Sequence, residues 1–183
     1  MGVQKKYNPF KARFNKLFLR SYTNDTEREV TITPLNKVQS VGVTFVVTNP
    51  KELETVKKVI KQIAKRGLNT FALGYIPEKK PNDFYLSEKT INFFYDKELD
   101  WLLRPDSDAT LEFQQRHFDI LIDLGSVEYP PMHYLLYKSK AKFKVGWFTN
   151  QEKSPFDLMI NMAPEEGCES FISQVLHYLD KFN

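Results

Sequence analysis

The chain has 183 residues, of which 42% are apolar and 27% charged, so it fits one globular domain large enough to bury a core without a disulfide or metal. A single cysteine, Cys168, excludes an intrachain disulfide and a thiolate metal cluster. We expect a cytoplasmic protein without a cofactor, because no stretch approaches the roughly 20 apolar residues of a membrane span and no secretory signal is visible.

Residues 1–37 are predicted to form a basic N-terminal arm and a connector. Residues 1–20 carry six basic side chains and no acidic one, which leaves 20 bases against 23 acids in the rest of the chain. Apolar residues recur at helical spacing within 9–20, and basic residues fall on another face. The apolar positions are Phe10, Phe14, Leu17 and Phe18. Residues 21–37 are a polar connector in which alternating Val30 and Ile32 allow a short edge strand.

An amphipathic arm of this kind has three possible roles. It can dock on the domain or across a homodimer, lie on an anionic membrane, or contact nucleic acid. We expect docking, since a helix this short is marginal in water unless its apolar face is covered. We therefore expect neither a membrane nor nucleic acid as a partner, and a homodimer stays open.

The core begins with a β-α-β unit. The run at 40–47 is β-branched or apolar almost throughout, as in a strand covered on both faces. A helix follows, because Asn49 is a good N-cap, Pro50 favours the first helical position and Glu52 completes a capping box. Gly67 can adopt the left-handed conformation that ends a helix, and 70–76 is a second strand.

The same alternation continues to the C-terminus. Strands are predicted at 90–95, 118–124, 143–148 and 156–162, and helices at 107–116, 130–138 and 168–182. In the last helix we expect His177 at the edge of the core and Phe182 within it. Residues 38–183 are thus predicted to form a single α/β domain, Rossmann-like and doubly wound, with a mainly parallel sheet of about six strands.

The loop after the first strand is where such folds usually bind phosphate. Here it reads Thr48-Asn49-Pro50, without the glycine that lets a phosphate approach the backbone. Pro50 also removes one of the N–H donors at the start of the helix. A capped structural helix is the simpler interpretation, although Thr48 and Asn49 would border any crevice at this edge.

The fourth strand carries the most suggestive polar pair. Asp119 and Asp123 share one face of that strand, and Asp123 lies near its carboxyl end, where ligands bind in open α/β sheets. The candidate crevice residues here are Asp123, Gly125, Ser126, Glu128 and His133. Paired carboxylates can perform acid–base chemistry when their pKa values differ. The interpretation we prefer is that Asp119 marks the solvated start of the strand and Asp123 caps N–H groups of the next loop.

Other reactive side chains form no recognisable motif. The histidines His117, His133 and His177 lack metal-ligand spacing. Cys168 begins the last helix without a histidine partner nearby in sequence, which favours a structural cysteine. Trp147-Phe148 offers a stacking surface or, as is commoner at this density of aromatic residues, part of the core.

Residues 118–146 resemble the N-terminal Rossmann-like half of the heptosyltransferase-type (GT-B) glycosyltransferases. The resemblance is carried by Phe-Asp-Ile-Leu-Ile-Asp-Leu at 118–124, Tyr-Leu-Leu at 134–136 and Lys-Val-Gly at 144–146. It implies fold and shared ancestry, and the whole chain resembles a family of small bacterial proteins without an assigned function. The transferases carry a glycine and then a catalytic aspartate where this chain has Thr48-Asn49-Pro50, and they need a second domain, so activity is not implied.

Three functions follow from these features. The first is a non-catalytic module that binds a small molecule or a protein partner, which we favour because no complete catalytic set is present. The second is a transferase-like enzyme that uses Asp123 and its neighbours. The third is an adaptor whose basic arm contacts a membrane surface or nucleic acid.

Overall fold

The structure, a computed structural model, describes residues 28–79, 84–150 and 154–182, together with Tyr7, Phe10, Lys11 and Arg13. Six strands and four α-helices follow one another along these residues. The strands are β1 (Ser40–Val46), β2 (Asn69–Ile76), β3 (Ile91–Tyr95), β4 (Ile120–Asp123), β5 (Phe143–Trp147) and β6 (Leu158–Ile160). The helices are α1 (Pro50–Ala64), α2 (Asp108–Gln115), α3 (Pro130–Lys138) and α4 (Gly167–Leu179). No described helix is long and apolar enough to cross a membrane.

The strands form one sheet in the order β3-β2-β1-β4-β5-β6, and all neighbouring strands are parallel. The predicted doubly wound sheet is therefore confirmed. The chain leaves β1 toward β2 on one side and leaves β4 toward β5 on the other. Connections thus diverge between β1 and β4, and such a switch point is where open α/β sheets bind ligands at the carboxyl ends of their strands.

Helices cover both faces of the sheet. The buried stripes of α1 and α4 pack with Val43 and Phe45 on one face, while α2 and α3 pack with Leu121 and Phe118 on the other. A strand covered on both sides must be apolar at nearly every position, which explains the continuous apolar run of β1. On the first face, Trp147 stacks on Phe171 of α4 with ring centroids 4.4 Å apart.

Local signals at α1 act as the sequence predicts. The Asn49 side chain accepts a hydrogen bond from the Glu52 N–H at 3.0 Å, and Pro50 occupies the first helical position. The Glu52 carboxylate accepts from the backbone N–H and the hydroxyl of Thr48, one residue earlier than a regular capping box. Gly67 has a φ of 80° after the helix, a conformation that favours glycine.

The connector departs from the prediction. No strand forms over 28–39, although Thr31 donates a backbone hydrogen bond to the Lys142 carbonyl. The Arg28 guanidinium instead makes two hydrogen bonds to the Asp157 carboxylate, at 2.9 and 2.6 Å. Leu35 is buried in the main core. The connector is thus fixed to the amino edge of the sheet by side chains and single backbone bonds.

Three side chains are more exposed than predicted. His177, expected at the edge of the core, is exposed. Phe182, expected within the core, is 37% exposed, because the regular helix ends at Leu179 and Phe182 lies in the 3-10 turn that follows. Phe10 in the arm is 73% exposed, contrary to the expected apolar face. The remaining apolar arm residues, at 14, 17 and 18, lie outside the described part of the chain.

Candidate functional site

Two adjoining cavities lie at the carboxyl edge of the sheet, above β1, β4 and β5. The larger has a volume of about 840 Å³ and is bordered by the first turns of α1 and α4. The smaller, of about 110 Å³, is bordered by α3 and by residues of the segment that joins β5 to β6. Residues of the loop 125–129 line both cavities. We call the two cavities together the crevice.

The larger cavity has an apolar wall with polar groups at its rim. Its volume falls within the range of small-molecule sites, which bring a few polar groups to a mainly apolar pocket. The apolar lining includes Phe45, Val46, Val56, Leu124, Val127 and Trp147, and the polar lining includes Thr48, Lys51, Glu52, Thr55, Ser126, Glu165 and Cys168.

Asp123 is the most unusual group of the crevice. It ends β4, is only 7% exposed and lines the smaller cavity. Its Oδ1 accepts a hydrogen bond from the hydroxyl of Thr44, at 2.8 Å. Burial raises the pKa of Asp123 from 3.8 to about 7, although the hydrogen bonds from Thr44 and from the Gly125 N–H act to lower it. Near neutral pH the carboxyl is therefore divided between its neutral and charged forms.

Asp119, at the opposite end of β4, has a different role. Its carboxylate accepts from the backbone N–H groups of Gln39 and Ser40 and from Lys142 Nζ, at 2.8 to 3.1 Å. Burial acts to raise the pKa of Asp119, but these hydrogen bonds outweigh it and hold the pKa below its usual value. The two aspartates are therefore separated by the length of the strand and do not form a catalytic pair.

The walls of the smaller cavity combine one further acid, one histidine and several rings. Glu128 accepts from the Thr149 hydroxyl at 2.9 Å, and its other oxygen lies 3.9 Å from His133 Nε2. The aromatic lining consists of Tyr129, Trp147, Phe148 and Phe156. Trp147 is fixed by an indole N–H bond to the Leu124 carbonyl, and the Phe156 ring lies over Gly146, where no side chain intervenes.

Three helices begin at the crevice, and the first turns of α1 and α3 offer few N–H donors to a ligand. Prolines stand at the first position of α1 and at the first two positions of α3, and proline has no N–H. At α1, the Glu52 carboxylate also places a negative charge at the helix start, where it accepts from Thr48. The usual phosphate-binding features are therefore replaced by prolines and an acid at these two helices, whereas α4 begins at Gly167 without a side-chain cap.

The predicted site residues divide into two groups. The structure brings Asp123, Gly125, Ser126, Glu128 and His133 together around the smaller cavity, and Thr48 lies at the larger one. Asn49 lines neither cavity, because its side chain caps α1. Asp123 does accept a loop N–H, as the structural interpretation expects, and it also faces a cavity.

Cys168 borders the larger cavity from the first turn of α4. Burial, followed by the charge of Glu169, raises the pKa of its thiol. The thiol therefore stays protonated near neutral pH and is a poor nucleophile. Among the residues that the structure describes, no group of three or more histidine, cysteine or acidic side chains is arranged to hold a metal ion.

Sequence reasoning missed the wall built by the N-terminal segment. The Tyr7 hydroxyl lies 2.9 Å from that of Tyr75, which in turn donates to Asp96. The Tyr7 ring packs edge-on against Tyr129, with centroids 6.4 Å apart. Tyr129 lines both cavities, so the arm reaches the outer wall of the crevice. The sequence around Tyr7 carries no local signal for this contact, because the contact depends on residues distant along the chain.

Comparison with known proteins gives a family and no activity. No curated protein matches the chain. The model of a family described as a family of unknown function, DUF6913, matches residues 11–182. Since this match covers most of the chain, including the sheet and α1 to α4, the chain belongs to the DUF6913 family.

Proposed function

We propose that this domain is a binding module that takes a small molecule in the crevice. The observation that carries the proposal is the cavity of about 840 Å³ at the switch point between β1 and β4. Its volume, its apolar wall and its few rim polar groups are those of small-molecule sites. The position at the carboxyl ends of the strands is the one that doubly wound folds use for ligands.

The electrostatics of the crevice favour a ligand without phosphate groups. Glu52, Glu165, Asp123 and Glu128 line the two cavities, whereas Lys51 is the single lysine or arginine in their described lining. Prolines at the starts of α1 and α3 remove N–H groups that would bind a phosphate. Nucleotides and sugar nucleotides are therefore disfavoured, and neutral or cationic molecules are favoured.

A blocked cavity tests the proposal. Thr55 lines the larger cavity from α1, and neighbouring Glu54 is exposed and does not line it. Thr55→Trp should fill part of the cavity, whereas Glu54→Trp places the same indole in solvent. A library of neutral, cationic and anionic metabolites would be screened by thermal shift against the wild type and both variants.

Ligands of the crevice should raise the melting temperature of the wild type and Glu54→Trp, and should lose most of that effect on Thr55→Trp. Stabilisation is expected because a ligand that binds only the folded state shifts the unfolding equilibrium. Compounds that stabilise all three proteins equally would place binding elsewhere and contradict the proposal.

We retain the relationship to the heptosyltransferase-type half-domain as a proposal about ancestry. The strand order with its switch point between β1 and β4 supports it, as does the basic residue Lys144 before Val145-Gly146. Fold does not imply activity, and the Thr48-Asn49-Pro50 loop stands where those enzymes carry their catalytic aspartate. Purified protein should therefore not turn over a sugar nucleotide. Turnover that is lost in Asp123→Asn would contradict this.

A further inference from the structure

We infer that the smaller cavity recognises the charged head of an organic cation, an alkylammonium or guanidinium group, with Asp123 as its counterion and the aromatic rings around it as its walls. The rest of the ligand would extend into the larger cavity. This inference rests on the proposed small-molecule function and names the chemical class of the ligand.

The first argument concerns charge. Asp123 is 7% exposed, and in the described part of the chain it forms no ion pair with a lysine or arginine. A buried carboxylate without a positive partner is costly. Its two identified donors, Thr44 and the Gly125 N–H, leave acceptor capacity on a group that has about four lone-pair sites. A cation in the adjoining cavity would supply the missing charge.

The second argument concerns the walls. Four aromatic side chains, Tyr129, Trp147, Phe148 and Phe156, line a cavity of only about 110 Å³ together with Asp123. Cations bind over aromatic faces by attraction to the ring quadrupole, and cages of several rings are used for quaternary ammonium and methylated amines. Aromatic walls alone would suit any apolar group. The combination with a buried carboxylate is what selects a positive one.

The third argument concerns size and access. One water molecule occupies about 30 Å³ in the liquid, so the smaller cavity holds a group of a few non-hydrogen atoms. An ammonium or guanidinium head has that size. Glu128, whose side chain is 51% exposed, stands at the rim, and the loop 125–129 separates this cavity from the larger one. A second carboxylate at the rim adds to the attraction of a positive group.

The experiment compares matched cations and neutral isosteres. Choline would be titrated against its uncharged analogue 3,3-dimethylbutan-1-ol, and n-butylammonium and n-butylguanidinium against n-butanol. Backbone amide NMR shifts of the full chain, at about pH 8 where the Asp123 carboxyl is mostly ionised, would report both affinity and location. The variants are Asp123→Asn and Phe148→Leu, with Asp119→Asn, just before the start of β4, as the matched control.

We expect at least one cation to bind with shifts centred on the loop 125–129 and the start of α3, and its neutral isostere to bind at least about tenfold more weakly. Asp123→Asn should lower the affinity for the cation by at least about tenfold, and Phe148→Leu should lower it by about two- to fivefold. Asp119→Asn should leave the affinity unchanged, even if its melting temperature falls. Retained folding of each variant would be checked from its own NMR spectrum.

Two results would overturn the inference. One is equal binding of a cation and its neutral isostere, or cation affinity that is unchanged in Asp123→Asn. The other is no shift with any of the cations. Neither result would overturn the proposed function if the library screen still yields ligands that Thr55→Trp blocks. Loss of that blocking effect would overturn the proposed function itself, so the two failures are distinguishable.

Discussion

Replacement of Asp123 by asparagine should make the stability of the protein less dependent on pH. In the folded chain the carboxyl keeps its proton up to about pH 7, whereas an unfolded chain releases it near 3.8. The folded state therefore binds more protons than the unfolded state between these values. The free energy of unfolding must then fall as the pH rises from about 4 to about 7, and stay level above that. Asparagine does not titrate and removes this decline.

The magnitude follows from the same pKa values. Each pH unit between 3.8 and about 7 corresponds to about 1.4 kcal/mol. The full interval gives about 4 kcal/mol, of which the part between about pH 5 and pH 7 is about 3 kcal/mol. Asparagine also changes the hydrogen bonds to Thr44 and Gly125, which alters the free energy of unfolding by an amount that does not depend on pH. This amount cancels when the difference between the two proteins at one pH is subtracted from their difference at another.

The assay is denaturant unfolding of both proteins at about pH 5 and about pH 8. The free energy of unfolding of Asp123→Asn minus that of the wild type should be about 3 kcal/mol larger at the higher pH than at the lower one. Asp119→Asn is the control, since the pKa of Asp119 is lowered and its stabilising effect is lost only below pH 4. A difference for Asp123→Asn that is the same at both pH values, within about 0.5 kcal/mol, would refute a raised pKa.

Three further changes test other parts of the fold. Burial, with the charge of Arg28, lowers the pKa of Lys144 to about 7, so the free energy of unfolding of the wild type should rise relative to that of Lys144→Met as pH rises from about 7 to about 10 in the same unfolding assay. Gly146→Ala would place a methyl group 2.3 Å from the Phe156 ring, and chemical denaturation should show a loss of about 1 to 3 kcal/mol. Tyr7→Ala should lower the free energy of unfolding by about 1 to 3 kcal/mol, whereas Phe10→Ala, on an exposed side chain, should change it by less than about 0.5 kcal/mol. Equal effects of the last two would contradict docking of the arm through Tyr7.

The parts of the fold that the sequence predicts are those set by local chemistry. The limits of α1 follow from Asn49, Pro50 and Gly67, each of which acts within a few residues of its own position. The connector shows why longer-range structure is harder. Alternation at Val30 and Ile32 permits a strand, but β5 already has β4 on one side and β6 on the other. With no free edge at β5, the connector makes one backbone bond there and stays outside the sheet.

The same distinction holds for the site. Asp123 could be found from sequence, because alternation along β4 places it at the carboxyl end of a buried strand. Thr44 could not, since it reads as one more β-branched residue of β1. Its hydroxyl reaches Asp123 only because β1 and β4 are neighbours, with Thr44 and Asp123 in register. Phe156 is hidden for a similar reason, since its place in the crevice depends on the room above Gly146 in another strand.

The ligand class follows from how the helices begin, and not from the topology of the sheet. Doubly wound folds bind phosphate when a glycine loop exposes N–H groups at a helix start. Here Pro50, Pro130 and Pro131 remove such donors from α1 and α3, and Glu52 accepts from Thr48 just before α1. The Asn49 cap also satisfies the Glu52 N–H of α1 without a ligand. These two helix starts therefore attract an anion poorly. The buried carboxylate of Asp123 lies at the same edge without a lysine or arginine partner among the described residues, and a positive group is what that carboxylate would bind.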